Sequence, residues 1–308
     1  MGNNTMHDDF ILLGFLIGHQ AEILLAVFLI AIYALTVAGN VTILFITATN
    51  SCLHTPMYFF LGNLSVLDLA FPTVTVPRLL RSLLSGVKAI SFAGCMAQSY
   101  FYFLLGTVEY FLLTSMSYDR YVAICDPLHY PIIMNGRFCV QVVLACWMGG
   151  FVSVLYPVIT ITSFSYCKSN VIDHFFCDSE PLMKLSCTDP GLIQIVTFVL
   201  SSIVILCSLT FTLISYAYIV STILVMPSDT GRKKAFNTCA SHLTLILMAT
   251  SVSILLYVIP SKKSSGGARR VPALLNSIIN PFLSPLVYTL RNDLFQRILR
   301  ESLVKVKQ

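Results

Sequence analysis

Two carboxylates stand inside long apolar stretches of the chain. Asp68 and Glu109 each lie among residues that would otherwise form continuous hydrophobic helices. An ionised carboxylate is costly in that setting unless it is paired or coordinated. Together the two offer hard oxygen ligands, and Asn40, Ser65 or Ser115 could complete the shell of a sodium ion with water. We predict this ion site; the alternative is that one carboxyl is protonated and only hydrogen-bonds.

Asp119 and Arg120 form a second charged pair, at the end of the third apolar stretch. Neighbouring opposite charges at a membrane interface can pair with each other or with a partner molecule. These two residues are therefore candidates for a switch. The alternative is that Arg120 only extends its charge toward the interface, as long cationic side chains do.

The histidines do not form a catalytic set. A membrane enzyme would need a nucleophile beside a base, or histidine and carboxylate side chains at one level of the bundle. All six histidines lie near loops or helix ends: His7, His19, His54, His129, His174 and His242. His174, Cys177 and Asp178 could bind a soft metal, but a disulfide-bonded Cys177 would have no thiolate to offer. We expect no enzymatic activity and no cofactor besides the sodium ion.

The elements that must position these residues are membrane helices. Of the 308 residues, 56% are hydrophobic and 11% are charged, whereas soluble domains carry about 25% charged residues. A span needs about 20 mostly apolar residues. Seven stretches qualify: about 22–49, 57–83, 92–118, 138–162, 192–226, 236–259 and 271–290. The sequence lacks the alternation of a membrane β-barrel, so we predict an all-α membrane protein with a seven-transmembrane helix bundle.

The orientation of the bundle rests on two features. Lysine and arginine are divided almost evenly between its sides, so the positive-inside rule decides little. A glycosylation sequon begins at Asn3, and the loop between the fourth and fifth spans holds Cys167, Cys177 and Cys187, which suits an oxidising compartment. The amino terminus is therefore predicted to be extracellular.

This orientation divides the chain into three parts. Residues 1–21 form an extracellular segment, residues 22–290 the membrane domain and residues 291–308 a cytoplasmic tail. Within the tail, the segment Arg291–Glu301 places Leu294, Ile298 and Leu299 at helical spacing, opposite charged residues. We predict a short amphipathic helix there, lying along the membrane surface.

Three motifs, in order along the chain, resemble the signature of one family. They are Leu53-His54-Thr55-Pro56-Met57-Tyr58-Phe59-Phe60-Leu61, Ser117-Tyr118-Asp119-Arg120-Tyr121-Val122-Ala123-Ile124-Cys125 and Lys234-Ala235-Phe236-Asn237-Thr238-Cys239-Ala240-Ser241-His242-Leu243. They resemble the olfactory receptors, of the class II (tetrapod) type, within the rhodopsin-like G-protein-coupled receptors. The resemblance covers nearly the whole chain. It implies a plasma-membrane receptor that binds a small volatile odorant and activates an olfactory-type stimulatory heterotrimeric G protein, raising cAMP.

The same resemblance assigns roles at both ends of the bundle. Arg120 would be held by its neighbouring acid at rest and turn toward the G protein on activation. The activation residues would be Asp119, Arg120, Tyr121, Tyr216, His242 and Tyr288. The implied disulfides are Cys95–Cys177 and Cys167–Cys187. Tying the long loop to the third span would fix the lid of a pocket in the bundle.

The pocket that the resemblance implies is apolar with scattered hydroxyls. Its walls would be Tyr102, Phe103, Gly106, Thr107, Ser201, Ile205, Ser253, Tyr257 and Ser277. Burying apolar ligand surface there contributes about 25 cal/mol per Å², and one or two hydroxyls would orient an oxygen. Because this set contains no Lys or Arg, we expect a neutral ligand. The positive charge lies in short clusters, a pattern that does not favour nucleic-acid binding.

Two positions depart from the family pattern. Ser284 begins Ser284-Pro285-Leu286-Val287-Tyr288, where the family usually has Asn-Pro-x-x-Tyr, which weakens the polar ligand at that turn. Thr250 stands where the family usually has an aromatic residue, so a bulky side chain beneath the pocket is missing. Both lie on elements expected to move, and three outcomes stay open: neutral drift, a shifted activation threshold or impaired signalling.

Other functions also fit a seven-span chain. A non-olfactory chemosensory receptor would have the same fold. A transporter would show corresponding broken helices in two halves, or a polar stripe along a lumen. The sequence shows no internal repeat, and Asp68 and Glu109 alone do not make a conduction path.

Overall fold

Long α-helices make up most of the molecule. The computed structural model describes residues 9–227, 229–259, 267–290 and 293–306. The helices of these segments are α1 (His19–Thr49), α2 (Pro56–Ser85), α3 (Phe92–Cys125), α4 (Tyr130–Ile133), α5 (Gly136–Thr162), α6 (Ser179–Leu185), α7 (Gly191–Leu224), α8 (Asp229–Ser253), α9 (Gly267–Leu290) and α10 (Asp293–Val306). A 3-10 turn, Ser51–Leu53, follows α1, and a π-helical turn, Ile254–Val258, continues α8.

Four helices among the described residues, α1, α2, α5 and α7, are long and apolar enough to cross a membrane. Each of the seven predicted stretches lies largely within one of the long helices, and the differences are confined to their ends. The largest differences are at the start of α8, which begins at Asp229, and at the end of α3, which continues to Cys125. No helix breaker occurs before Pro127, which disfavours helical backbone at Asp126. Asp119 and Arg120 are therefore helical.

α3 packs at the centre of the bundle, against α2, α5 and α7. Gly150 allows α5 to approach it closely, because an added Cβ would lie 2.5 Å from Val108 Cγ2. The outward faces of the bundle remain apolar: Leu24, Ile195 and Phe45 are 71%, 62% and 61% exposed. So much exposed apolar surface suits lipid rather than water.

Prolines in α9 leave a backbone carbonyl that another helix satisfies. Pro285 has no N–H, so the carbonyl of Pro281 lacks its usual donor one turn later. Asn40 Nδ2 on α1 donates to this carbonyl at 3.1 Å and to the Thr36 carbonyl at 3.0 Å. Close packing accompanies this bond, since a Cβ added at Gly39 would lie 3.0 Å from Pro285 Cβ. Asn40 thereby holds α1 against α9.

A small sheet at one end of the bundle shows that the all-α prediction was incomplete. β1 (Asp9–Leu12) pairs antiparallel with β2 (Ala89–Ser91) and parallel with β3 (Val171–Ile172). Strands this short carry no periodicity that a sequence pattern could reveal. We call this end of the bundle the loop end and the opposite end, which carries Arg120, the tail end.

The amino-terminal segment is part of the packed fold. Phe10 of β1 is fully buried, with its ring 5.9 Å from that of Phe92 and 5.3 Å from that of Tyr166. After the strand the chain turns at Gly14, whose φ of 65° favours glycine. The N–H of Gly14 donates to the His174 carbonyl at 3.1 Å. Residues 9–14 thus close the loop end.

Two disulfides fasten the segment between α5 and α7. Cys95 of α3 is bonded to Cys177, and Cys167 to Cys187, which are the pairings that the resemblance implied. Gln98 reinforces the first bridge: its Oε1 accepts from the Cys177 N–H at 3.1 Å, and its Nε2 donates to the Val74 carbonyl at 2.9 Å. The segment is therefore fixed over the top of α3.

At the tail end, α10 packs against α1 and α2. Phe295 and Ile298 are buried in a cluster with Ile43, Ile46 and Leu61. The amphipathic helix predicted in the tail is thus present as α10, over Asp293–Val306. The predicted glycosylation site, Asn3, lies outside the described residues.

Candidate functional site

A cavity of about 450 Å³ lies inside the bundle, within the range of small-molecule sites. Residues of α3, α5, α7, α8 and α9 surround it, and α6 contributes to its mouth at the loop end. Of the nine predicted wall residues, eight line it: Tyr102, Phe103, Gly106, Thr107, Ser201, Ile205, Ser253 and Tyr257. The structure therefore brings together residues from three separate helices of the prediction.

Ser277, the ninth predicted residue, lies just behind the wall, near the side chain of Tyr102. It is fully buried, and its hydroxyl donates to the Ala273 carbonyl at 2.9 Å, as serines within helices often do. From α9, Asn276 and Asn280 line the cavity instead. Their spacing of four residues places both amides on one helix face. Sequence reasoning missed them, although this spacing was the available signal.

Aromatic rings form the wall nearest the loop end. The Tyr102 ring lies 5.4 Å from that of Phe103, which lies 5.9 Å from that of Tyr257. The Tyr257 hydroxyl donates to the Tyr102 hydroxyl at 3.3 Å. Phe176, next to the disulfide-bonded Cys177, packs 4.3 Å from Tyr102. The disulfide-anchored loop therefore contacts the cavity wall directly.

Charged side chains also line the cavity, which corrects the expectation of a wall without Lys or Arg. At the mouth, Arg269 and Lys184 both pair with Glu180, the latter at 2.8 Å. Asp178 lies beside them, and burial raises the pKa of its carboxyl, an effect that Arg269 opposes. Glu109 lines the cavity deeper along α3. The mouth thus combines two basic and two acidic groups.

His174 lies in the disulfide-anchored segment between α5 and α7, which covers the cavity, and not in the cavity wall. Its ring packs 4.8 Å from Phe175 and 4.6 Å from Phe176. Both ring nitrogens are buried with no hydrogen-bond partner among the described residues. Burial, aided by Arg270 and Arg269, lowers the pKa of His174 from 6.5 to about 3. The ring is therefore neutral at physiological pH.

The soft-metal alternative at His174 is not supported. Cys177 is bonded to Cys95 and has no thiolate for a metal. Within the described ranges, no group of three or more His, Cys, Asp or Glu side chains has metal-binding geometry.

The region around Asp68 contains several polar atoms without partners. Asp68 Oδ2, Ser65 Oγ and Asn40 Oδ1 are buried and have no hydrogen-bond partner among the described residues. Ser284 and Glu109 are both close enough to interact with the Asp68 side chain. Ser284 thus still supplies a polar ligand at the position where the sequence departs from the family. Unpaired buried oxygens are costly, and this donor set fits a small hard cation.

Ser115, the third suggested ligand, is engaged elsewhere. Its hydroxyl donates to the Phe111 carbonyl at 2.8 Å and lies 3.6 Å from Cys146 Sγ. It lines a separate cavity near the tail end, of about 170 Å³. The prediction that Ser115 completes the ion shell is therefore not supported by its position.

Tyr110 is an aromatic residue of α3 at the level of Thr250, the position where the family usually has an aromatic residue. Thr250 is buried on α8, and the hydroxyl of Tyr110, on α3, lies near its side chain. The same hydroxyl donates to the Ala249 carbonyl at 3.2 Å. Tyr110 and Ala249 both line the cavity. Sequence reasoning missed Tyr110, because only packing shows which side of α3 faces α8.

At the tail end, Asp119 binds two donors. Arg120 Nε donates to Asp119 Oδ2 at 2.9 Å, and the Tyr130 hydroxyl donates to Oδ1 at 2.8 Å. Asp119 is 1% exposed, so both bonds lie out of water. Sequence reasoning did not single out Tyr130. In this structure Arg120 is held by its neighbouring acid.

The other predicted activation residues lie nearby. The Tyr216 hydroxyl and His242 Nδ1 are 2.7 Å apart and buried, which joins α7 to α8. Tyr121 packs against the cluster that contains Tyr216. The backbone of Tyr288 belongs to α9, but its side chain lies outside the described residues.

Long apolar helices around a cavity that opens at the loop end, with a buried acid–arginine pair farther along one of them, are features of a membrane receptor rather than an enzyme. The family described as "Olfactory receptor" matches residues 29–305. Human olfactory receptor 6J1 is 50% identical over 308 residues, 100% of this chain and 89% of the relative. Human olfactory receptor 6T1 is 46% identical over 301 residues (98% and 93%), and 6C4 is 42% identical over 306 residues (99% and 99%). The chain belongs to the olfactory receptor family and is a plasma-membrane receptor.

Proposed function

We propose that this protein crosses the membrane seven times, binds a small neutral volatile in its cavity and activates a stimulatory heterotrimeric G protein. The observation that carries the proposal is the layout of α3. Near the loop end this helix lines the cavity with Tyr102 and Gly106, and at the tail end it carries Asp119 and Arg120. A ligand that shifts the contacts of α3 therefore acts on both sites.

The seven-span arrangement accounts for the helices that are less apolar. α3 contains Glu109, Asp119 and Arg120, and it packs inside the bundle, where polar groups find partners. With α3, α8 and α9 counted as spans, the number is odd. An odd number puts the amino terminus and α10 on opposite sides. The disulfides favour an extracellular loop end.

A neutral ligand suits the charge distribution of the cavity. Both basic groups at the mouth, Arg269 and Lys184, are already paired with Glu180. The remaining wall offers apolar surface and hydroxyls such as those of Thr107 and Ser201. An acidic odorant would have to compete with Glu180 for its partners. A neutral molecule with one oxygen would only have to replace water.

The test is cAMP production in cells that express this chain with an olfactory-type stimulatory G protein. A panel of neutral, acidic and basic odorants should yield responses among the neutral ones, and Arg120→Ala should abolish them at equal surface level. If only carboxylic acids were active, the ligand class would be wrong. Equal responses from wild type and Arg120→Ala, or an ionic current without G protein, would contradict the receptor mechanism.

We also propose a sodium ion at Asp68 and Glu109. The partnerless oxygens of Asp68, Ser65 and Asn40 support it, because an ion would satisfy several of them at once. Replacing sodium with N-methylglucamine should change agonist potency in the parent receptor and leave Asp68→Asn and Glu109→Gln unaffected. A parent receptor insensitive to the exchange would contradict the site. Asp189→Asn, in an exposed loop, is the matched control.

A further inference from the structure

A hydrogen bond at the deep side of the cavity joins the ligand site to the helix behind it. The Tyr110 hydroxyl of α3 donates to the Ala249 carbonyl of α8 at 3.2 Å. Tyr110 is only partly buried because part of its ring faces the cavity. A ligand in the cavity therefore lies against the residue that makes this bond.

The segment of α8 that accepts the bond is irregular. One turn after Ala249, the α-helix gives way to the π-helical turn Ile254–Val258. Such turns are uncommon, often mark functional sites and allow a helix to bend. Cavity-lining residues stand on both sides of the junction, Ser253 before it and Tyr257 within it. The bond to Ala249 thus holds α8 just below the place where it can change shape.

A buried polar atom beside this bond is unsatisfied. Thr250 Oγ1 has no hydrogen-bond partner among the described residues, although the Tyr110 hydroxyl lies near it. The Tyr110 hydroxyl can therefore change acceptor from the Ala249 carbonyl to Thr250 Oγ1 with a small movement. Two acceptors within reach of one donor make two arrangements of α3 and α8 accessible.

We propose that Tyr110 is a positioning residue that holds α8 in the resting arrangement through the Ala249 carbonyl and releases it when a ligand displaces the Tyr110 ring. The resting assignment follows from the tail end of the same structure, where Asp119 still holds Arg120. The proposal rests on the proposed receptor function. It adds the residue through which cavity occupancy reaches α8.

The decisive variant is Tyr110→Phe, which keeps the ring and removes only the donor. Loss of one neutral hydrogen bond changes an equilibrium by about five-fold, so ligand-independent cAMP per surface receptor should rise about that much. Agonist concentration for half-maximal response should fall by a similar factor, while the maximal response stays unchanged. Tyr156→Phe is the matched control, since Tyr156 lies on the outer face of α5.

Two results would overturn the proposal. One is a Tyr110→Phe receptor that matches wild type and Tyr156→Phe in both basal signal and agonist potency. The other is a lower basal signal at equal surface level, which would place the bond in the signalling arrangement. A merely structural role would reduce surface level and maximal response together, without the shift in potency.

A second readout separates this proposal from the receptor function itself. In purified full-length protein in lipid nanodiscs, amide hydrogen exchange over residues 245–259 should be several-fold faster in Tyr110→Phe than in wild type. This measurement needs neither odorant nor G protein. If wild type never raises cAMP but the exchange difference is present, only the proposed function fails. Equal exchange in both proteins would refute the role of Tyr110.

Discussion

Asp119 accepts hydrogen bonds from donors of two kinds. Arg120 supplies a charged donor and Tyr130 a neutral one, each to a different carboxylate oxygen. Because Asp119 is buried, water cannot replace either donor, and each bond to the charged group contributes about 1.5–3 kcal/mol. Tyr130 thereby fixes the carboxylate that holds Arg120. Release of Arg120 should depend on both contacts.

We expect Asp119→Asn to raise ligand-independent cAMP more than Tyr130→Phe does, and both to exceed wild type. The first change removes the charge that attracts Arg120, and the second removes only the bond that orients it. Signal per surface receptor, without odorant, is the measurement. His129→Gln is the control, since its pair with Asp126 is exposed and such pairs contribute little. The reverse order of the two variants would contradict the assignment.

Asn40 is a second residue whose effect can be predicted from one contact. Asn40→Ala leaves the Pro281 carbonyl buried without a donor, which costs about 1–3 kcal/mol. We expect a lower melting temperature for the purified receptor in sodium-free buffer, where the proposed ion contributes nothing. Asn63→Ala should have a smaller effect, because among the described residues the Asn63 amide donates to Phe59 of its own helix and to no other helix. Equal losses would show that the Pro281 contact is unimportant.

At the scale of elements, the helices were predictable and the strands were not. Each long apolar run corresponds to a helix, because a lipid-facing segment must satisfy its own backbone. β1 instead depends on partners far along the chain, Ile90 and Val171 among others, and on the burial of Phe10. A four-residue run such as Asp9–Leu12 contains no signal for those partners.

Phe10 tests whether β1 belongs to the fold. Phe10→Ala removes a fully buried ring, a change that typically costs about 3–5 kcal/mol in a core. We expect a large loss of receptor at the cell surface, measured by flow cytometry of intact cells with an antibody to a tag at the amino terminus, the end proposed to be extracellular. Phe28→Ala, on the outer face of α1, should lose little. Similar losses in both variants would mean that β1 adds no stability.

At the scale of the whole molecule, the sequence predicted most of the cavity but not its charges. Tyr102, Gly106 and Thr107 were implied by the family resemblance, and they line the cavity from α3. Lys184 reaches the mouth because α6 folds back over the bundle, where it meets Arg269 at the start of α9, and a loop helix of seven residues carries too weak a pattern to place. From α9, Asn276 rather than Ser277 faces the cavity, because a shift of one residue rotates a helical side chain by about 100°.

Burial of His174 makes the stability of the whole molecule depend on pH. The pKa of His174 falls from 6.5 to about 3 on folding, so the unfolded chain binds more protons between these values. Stability is therefore lost as the pH falls below about 6.5. His174→Phe, which keeps an aromatic ring, should give a flatter curve of melting temperature from pH 6.5 to 4. Asp178, whose pKa is raised, acts in the opposite sense but is present in both proteins.

Parallel curves for wild type and His174→Phe would contradict this origin of acid sensitivity. His19→Phe serves as the control, because His19 is exposed and should leave the wild-type curve unchanged. The comparison is best made by thermal unfolding of purified protein with both disulfides intact.

The sheet at the loop end also constrains the order in which the chain can fold during synthesis. β1 leaves the ribosome first, but its partner β3 is made only after α1, α2, α3 and α5. Until then, β1 can pair only along the edge that faces β2, and a chaperone of the secretory compartment would meet its other edge as an exposed apolar strand. Completion of this late pairing is a natural point at which quality control could distinguish a finished receptor from one still being assembled.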